Sequence, residues 1–124
     1  LHLIIQHSSM VPIYEQIYTQ IEQQIIHQTV IAGAQLPSVR GMAKELSVSA
    51  LTVKKAYDQL EASGLIVTVH GKGSFVATID PQTKKQEQEK EIEAELGALI
   101  QKAQRYDLSL DDFTAIVKLL WEEN

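Results

Sequence analysis

From Ile13 onward, apolar residues return at three- and four-residue steps through Tyr14, Ile17, Tyr18, Ile21 and Ile25. That spacing puts one apolar stripe on an amphipathic helix. Pro12 suits its first turn, where an N–H would have no helical partner, and Gly33 is the expected end. A shorter helix follows Leu36-Pro37, with Ser38 as N-cap and Val39, Met42, Ala43 and Leu46 on one face. Ser47-Val48-Ser49 breaks that pattern. Ser49 then caps a third helix, in which Val53, Ala56, Tyr57 and Leu60 repeat at helical spacing and Gly64 supplies a left-handed terminus. Beyond Gly64 the period becomes strand-like. Leu65 to Val69 and Ser74 to Ala77 flank His70-Gly71-Lys72-Gly73, which reads as a β-hairpin.

Asp80-Pro81 marks a turn, and residues 82–91 are almost wholly polar. Past them Ile92, Leu96, Leu99, Ala103 and Tyr106 form a heptad-like seam on a helix expected to start near Lys84. Ser109 and Asp112 resemble a capping box for a last helix bearing Phe113, Ile116, Val117 and Leu120, ending near Glu122. The predicted fold is therefore mostly α with a small β-hairpin. Three helices, a tight turn between the second and third, and a hairpin give the order of a winged helix-turn-helix over residues 1–78. Residues 79–124 form a helical hairpin too small to bury its own seam. Ile92, Leu96, Leu99, Ala103, Tyr106, Phe113, Ile116, Val117, Leu120 and Trp121 then need a partner surface, and a second copy of the chain is the simplest one.

Charge changes the picture once it is divided by region. The 124-residue chain carries 11 Lys and Arg against 16 Asp and Glu, a net charge of −5 that by itself argues against nucleic acid. Through residue 78, however, five basic residues balance five acidic ones, while residues 79–124 hold six basic and eleven acidic. All of the acid surplus lies in the tail. Between Pro37 and Phe75 the count is five basic to three acidic, enough for a local positive patch. The absence of cysteine excludes disulfides and thiolate chemistry. His2, His7, His27 and His70 lack metal-ligand spacing, and no catalytic constellation is visible, so no enzyme, metal or cofactor is expected. The stretch Leu1 to Ile5 is too short and too broken by His2 and Gln6 for a signal peptide, and no segment nears the ~20 apolar residues of a membrane span, so a cytoplasmic location is expected.

On the third helix the face opposite Val53, Ala56, Tyr57 and Leu60 carries Leu51, Thr52, Lys54, Lys55, Asp58 and Gln59. This face would meet a DNA major groove. Leu51 at its leading end is suited to a thymine methyl, or else packs on its own helix terminus. A dinucleotide fingerprint at residues 71–76 fails, because Val76 replaces the third glycine and a strand follows.

Five blocks, Pro12-Ile13-Tyr14, Leu36-Pro37-Ser38-Val39-Arg40, Val48-Ser49-Ala50-Leu51-Thr52-Val53, Leu60-Glu61-Ala62-Ser63-Gly64-Leu65-Ile66 and Gly71-Lys72-Gly73-Ser74-Phe75-Val76, come in an order and spacing that resembles the GntR family of bacterial transcription regulators. The resemblance implies that Arg40 contacts DNA from the start of the second helix, bidentate to guanine or clamped on phosphate, and that Ser38 caps the helix beside it. An Arg40–Glu45 ion pair is the competing reading. It also implies DNA contacts for Ser49, Thr52 and Lys54, and a wing at His70, Gly71, Lys72 and Gly73 that reaches phosphate or the minor groove. Ala50 sits where many members carry arginine, so that guanine contact does not transfer. The tail of about 46 residues looks like that of the YtrA subfamily, which implies dimerisation, a pseudo-palindromic operator of double-stranded DNA and, most often, repression. Two alternatives stay open: a regulator that senses a small-molecule effector near Tyr106, Phe113 and Trp121, and a winged helix that serves only as a protein-interaction module.

Overall fold

A computed structural model describes all 124 residues. Five helices and one hairpin follow in the order α1 (Ile13–Ile26), α2 (Val39–Leu46), α3 (Ala50–Ala62), β1 (Ile66–Val69), β2 (Gly73–Val76), α4 (Pro81–Arg105) and α5 (Leu110–Glu123). The chain divides into two compact units, Leu1–Lys84 and Lys85–Asn124.

In the first unit α1 and α2 both pack on α3. The apolar stripes meet where the periodicity placed them, with Ile17, Ile21, Val53, Leu60 and Ile66 fully buried. Leu36, Met42, Ala56, Tyr57, Leu65 and Val76 complete the core. Tyr57 resolves its polar end by donating from its hydroxyl to the Pro37 carbonyl at 2.7 Å. Burial, aided by the Glu45 carboxylate, pushes the Tyr57 phenol well above its ordinary range.

Local chemistry sets the helix boundaries. Ser38 Oγ accepts from Gly41 N at 3.0 Å, and Ser49 Oγ accepts from Thr52 N at 3.1 Å. Ser47 turns the chain between α2 and α3 in the left-handed conformation, and Gly64 follows α3 at φ 77°. The expected end of α1 is wrong. Gly33 does not end α1, which stops at Ile26, because Gln28 takes the left-handed conformation at φ 59° and Thr29 N bonds back to Gln24 O at 2.9 Å. This closure usually recruits glycine; here glutamine adopts it. Gly33 lies instead in the connection that follows, where its N–H donates to Val76 O at 2.8 Å.

β1 and β2 pair antiparallel, from Ile66 opposite Val76 to Val69 opposite Gly73. The connection before α2 joins them as a third strip. Leu36 N donates to Ser74 O and Val76 N to Ala34 O, both at 2.8 Å, and Gln35 bridges Phe75. The N-terminal residues, whose sequence suggested no role, form a strap along α1. Gln20 both accepts from Ile4 N (2.9 Å) and donates to Ile4 O (2.6 Å), Gln16 does the same with Gln6, and Gln24 donates to His2 O at 2.9 Å. Spaced four apart, these amides satisfy an extended backbone much as a neighbouring strand would.

α4 begins at Pro81, still within the first unit, rather than near Lys84, and continues into the second. Proline tolerates that first turn for the reason given for Pro12. Asp107 turns the chain at φ 61°, and the Ser109–Asp112 capping box starts α5 with both bonds at 3.1 Å. Ala103 is the one core residue of this unit, 8% exposed. No helix in the protein is long and apolar enough to cross a membrane.

Candidate nucleic-acid interface

The interface is built on two capped helices. Because Ser38 Oγ acts as an acceptor in its cap, its hydroxyl hydrogen is left to donate outward. Ser49 and Thr52 bond to each other through their hydroxyls at 2.7 Å. Two hydroxyl hydrogens serve that one mutual bond, so one remains for an incoming acceptor. Arg40, in the first turn of α2, is exposed. The ion pair on this part of the surface joins Lys54 to Asp58 at 2.8 Å, not Arg40 to Glu45. The guanidinium is therefore available.

On α3, Ser49, Ala50, Leu51, Lys54 and Lys55 are exposed and Thr52 is half-buried, while Val53, Ala56, Tyr57 and Leu60 face the core. Leu51 is 78% exposed, which argues against the reading that it packs on its own helix end. The two lysines are held differently. Lys54 bonds the Asp58 carboxylate, and that hydrogen bond raises its pKa. Lys55 places its ammonium 3.8 Å from the centroid of the Tyr14 ring on α1.

The wing tip is a three-residue loop, with Lys72 N donating to Val69 O at 2.9 Å and Gly71 at φ 77°. Type II turns require this sign of φ at their third position. His70, Gly71, Lys72 and Gly73 are all exposed. Gln35, which no periodicity singled out, donates to the Lys72 carbonyl at 2.9 Å and lies so close to Gly73 that an added Cβ would sit 2.8 Å from its Nε2. The first strand of the wing is tied to α3 by Thr68 Oγ1 donating to Glu61 Oε2 at 3.2 Å.

The predicted tail surface is exposed in the single chain: Ile92, Leu96, Leu99, Tyr106, Ile116, Val117, Leu120 and Trp121 are open, Phe113 is half-buried and Ala103 is buried. Ile100, Leu108, Leu110 and Leu119 extend the exposed apolar set beyond the heptad seam that predicted it. Leu99, Ala103, Tyr106, Phe113 and Val117 help line an apolar cavity of about 210 Å³. Trp121, expected beside Tyr106 and Phe113, lines no part of it. Its volume falls below the roughly 300–1,000 Å³ of ordinary ligand sites.

A helix-turn-helix that turns hydroxyls, an unpaired guanidinium and two lysines outward, beside a hairpin with a cationic tip, defines the class of winged-helix DNA-binding regulators. Comparison with known proteins gives the family. Residues 13–76 match the family described as bacterial regulatory proteins, gntR family. The chain is 39% identical over 69 residues to the HTH-type transcriptional repressor YtrA of Bacillus subtilis, a match that takes in 56% of this chain and 53% of that protein. It resembles a transcriptional regulator from Oenococcus oeni with a TM-score of 0.78 and 27% identity, over 97% of this chain and 99% of that one. AraR(DBD) in complex with operator ORX1 aligns with a TM-score of 0.55 and 29% identity, over 62% of this chain and 96% of that one. The chain spans only 16%, 60% and 53% of the lengths of three curated relatives that it matches. This chain belongs to the GntR family of bacterial transcription regulators and is YtrA-like within it.

Proposed function

We propose that the protein is a sequence-specific transcription regulator that binds a pseudo-palindromic operator as a homodimer in the cytoplasm and represses by occupying it. The observation that carries this reading is the outward face of α3, where Ser49, Leu51, Lys54 and Lys55 stand exposed directly opposite a fully buried stripe. Inserted into a major groove, that face offers Leu51 to a thymine methyl and Lys54 to a base edge, with Ala50 allowing close approach. The Ser49–Thr52 hydroxyl pair and Ser38 donate to phosphate, and Arg40 takes guanine or phosphate. His70, Gly71, Lys72 and Gly73 contact the neighbouring backbone or minor groove.

Two recognition helices on one duplex need a dimer. The apolar surfaces of α4 and α5, uncovered in the single chain, supply the contact. AraR(DBD), a structural neighbour, is described in complex with operator DNA, and YtrA of Bacillus subtilis is described as a repressor, which supports the same reading here. No cofactor is invoked. The test is a mobility-shift titration against an operator selected from a random duplex pool. Arg40→Ala is expected to weaken specific binding by about 1–3 kcal/mol while leaving oligomeric mass unchanged. Unaltered affinity would remove Arg40 from the interface, and the absence of salt-dependent binding by the wild-type chain would favour a protein-interaction module.

A further inference from the structure

We propose that Tyr14 is a positioning residue for duplex binding, its ring holding the Lys55 ammonium at a fixed place beside α3 so that Lys55 serves as a sequence-independent phosphate contact. The inference rests on the regulator reading above and adds a residue outside the helix-turn-helix.

Lys54 and Lys55 are adjacent in sequence, yet successive residues leave a helix about 100° apart. The structure gives them different neighbours accordingly. Lys54 bonds Asp58 one turn further along α3, at 2.8 Å. Lys55 turns towards α1, with its Nζ 3.8 Å from the Tyr14 ring centroid, well inside the roughly 6 Å limit for a cation over an aromatic face. A ring occupies only one side of an ammonium, so N–H donors remain free on the other. Both residues come from elements locked together by the core, since α1 packs directly on α3.

Three physical consequences follow. A free lysine loses rotamer freedom when it takes a phosphate, and a lysine already held over a ring loses less. A cation drawn towards the neighbouring helix is held on the α1 side of the exposed α3 face, the side on which a phosphate bordering the groove would be met. As a compact point charge, an ammonium suits a phosphate in any sequence context. Lys54 stays with Asp58 on the groove-facing stripe, where a carboxylate discriminates against phosphate and leaves base edges as the partner.

The experiment uses the full chain and a random-sequence duplex, with affinity measured by fluorescence anisotropy across a salt series. Lys55→Met is expected to lower the slope of log K against log salt by about 1. Tyr14→Leu should weaken binding by about 2- to 5-fold, and Tyr14→Phe, which keeps the ring, should match the wild type. In a Lys55→Met background, Tyr14→Leu should have no further effect. An NMR spectrum supplies a readout that a structural role would not move: the Lys55 side-chain protons should be shifted upfield by the ring in wild type and Tyr14→Phe, and released in Tyr14→Leu.

Additive losses in the double variant, or a Tyr14→Phe chain as weak as Tyr14→Leu, overturn the pairing while leaving the regulator reading intact. A wild-type chain that binds no duplex overturns both.

Discussion

The two units of this protein solve the same problem in opposite ways. Leu1–Lys84 buries its apolar stripes within itself, leaving Ile17, Ile21, Val53 and Leu60 without exposed surface. Lys85–Asn124 has comparable periodicity and buries only Ala103, while Ile92 is 61% exposed and Trp121 81%. Similar amphipathic patterns thus carry different information. In the first unit the pattern specifies a closed core; in the second it leaves an apolar surface exposed in the single chain. The charge follows the same division, since the net charge of −5 comes from the tail and leaves the first unit neutral.

Substitutions that affect one unit and spare the other test this contrast. The largest effect is expected from Leu60→Ala, which opens a cavity in a closed core and should cost about 2–5 kcal/mol in urea unfolding. A cost below 1 kcal/mol would mean that this core is looser than its burial indicates. Leu99→Asp or Leu120→Asp should instead convert the proposed dimer to a monomer by light scattering, with the far-ultraviolet signature of the first unit retained. An unchanged dimer mass would place the contact elsewhere. Arg40→Ala, worth about 1–3 kcal/mol in operator binding, should alter neither stability nor mass, which would separate reading from both kinds of packing.

The smallest effect concerns Tyr57, whose hydroxyl bond to Pro37 ties α3 to the segment that presents Ser38 and Arg40. Its pKa is raised in the folded state, so the stability it contributes is complete below the ordinary tyrosine value of about 10 and is lost as pH rises above it. Tyr57→Phe should cost about 0.5–1.5 kcal/mol at neutral pH and flatten the alkaline limb of a stability-against-pH curve. A limb of unchanged steepness would assign it to other groups.

What could be read in the sequence was what is local. The caps at Ser38, Ser49 and Ser109, the buried faces of α2 and α3 and the hairpin tip each depend on residues within a few positions of one another. The winged architecture followed from their order. Distant partners left no trace. The Gln16, Gln20 and Gln24 amides that clamp the N-terminal strap, and the Gln35 bond to Lys72 across 37 residues, join side chains to backbone with no period to reveal them. The end of α1 was missed because the rule that assigns left-handed termini to glycine does not anticipate Gln28. In the site, the exposed face of α3 was legible from helical geometry, whereas the different settings of Lys54 and Lys55 depend on the packing of α1 against α3.

The central claim is that an internally closed reader is brought to DNA in pairs by an outwardly apolar tail. It is tested most directly by titrating the full chain into a selected operator duplex over a range of salt while measuring the mass of the complex. The account predicts two chains per duplex and an affinity that falls steeply with salt, as phosphate-bound cations are released. One chain per duplex, or an affinity indifferent to salt, would contradict it.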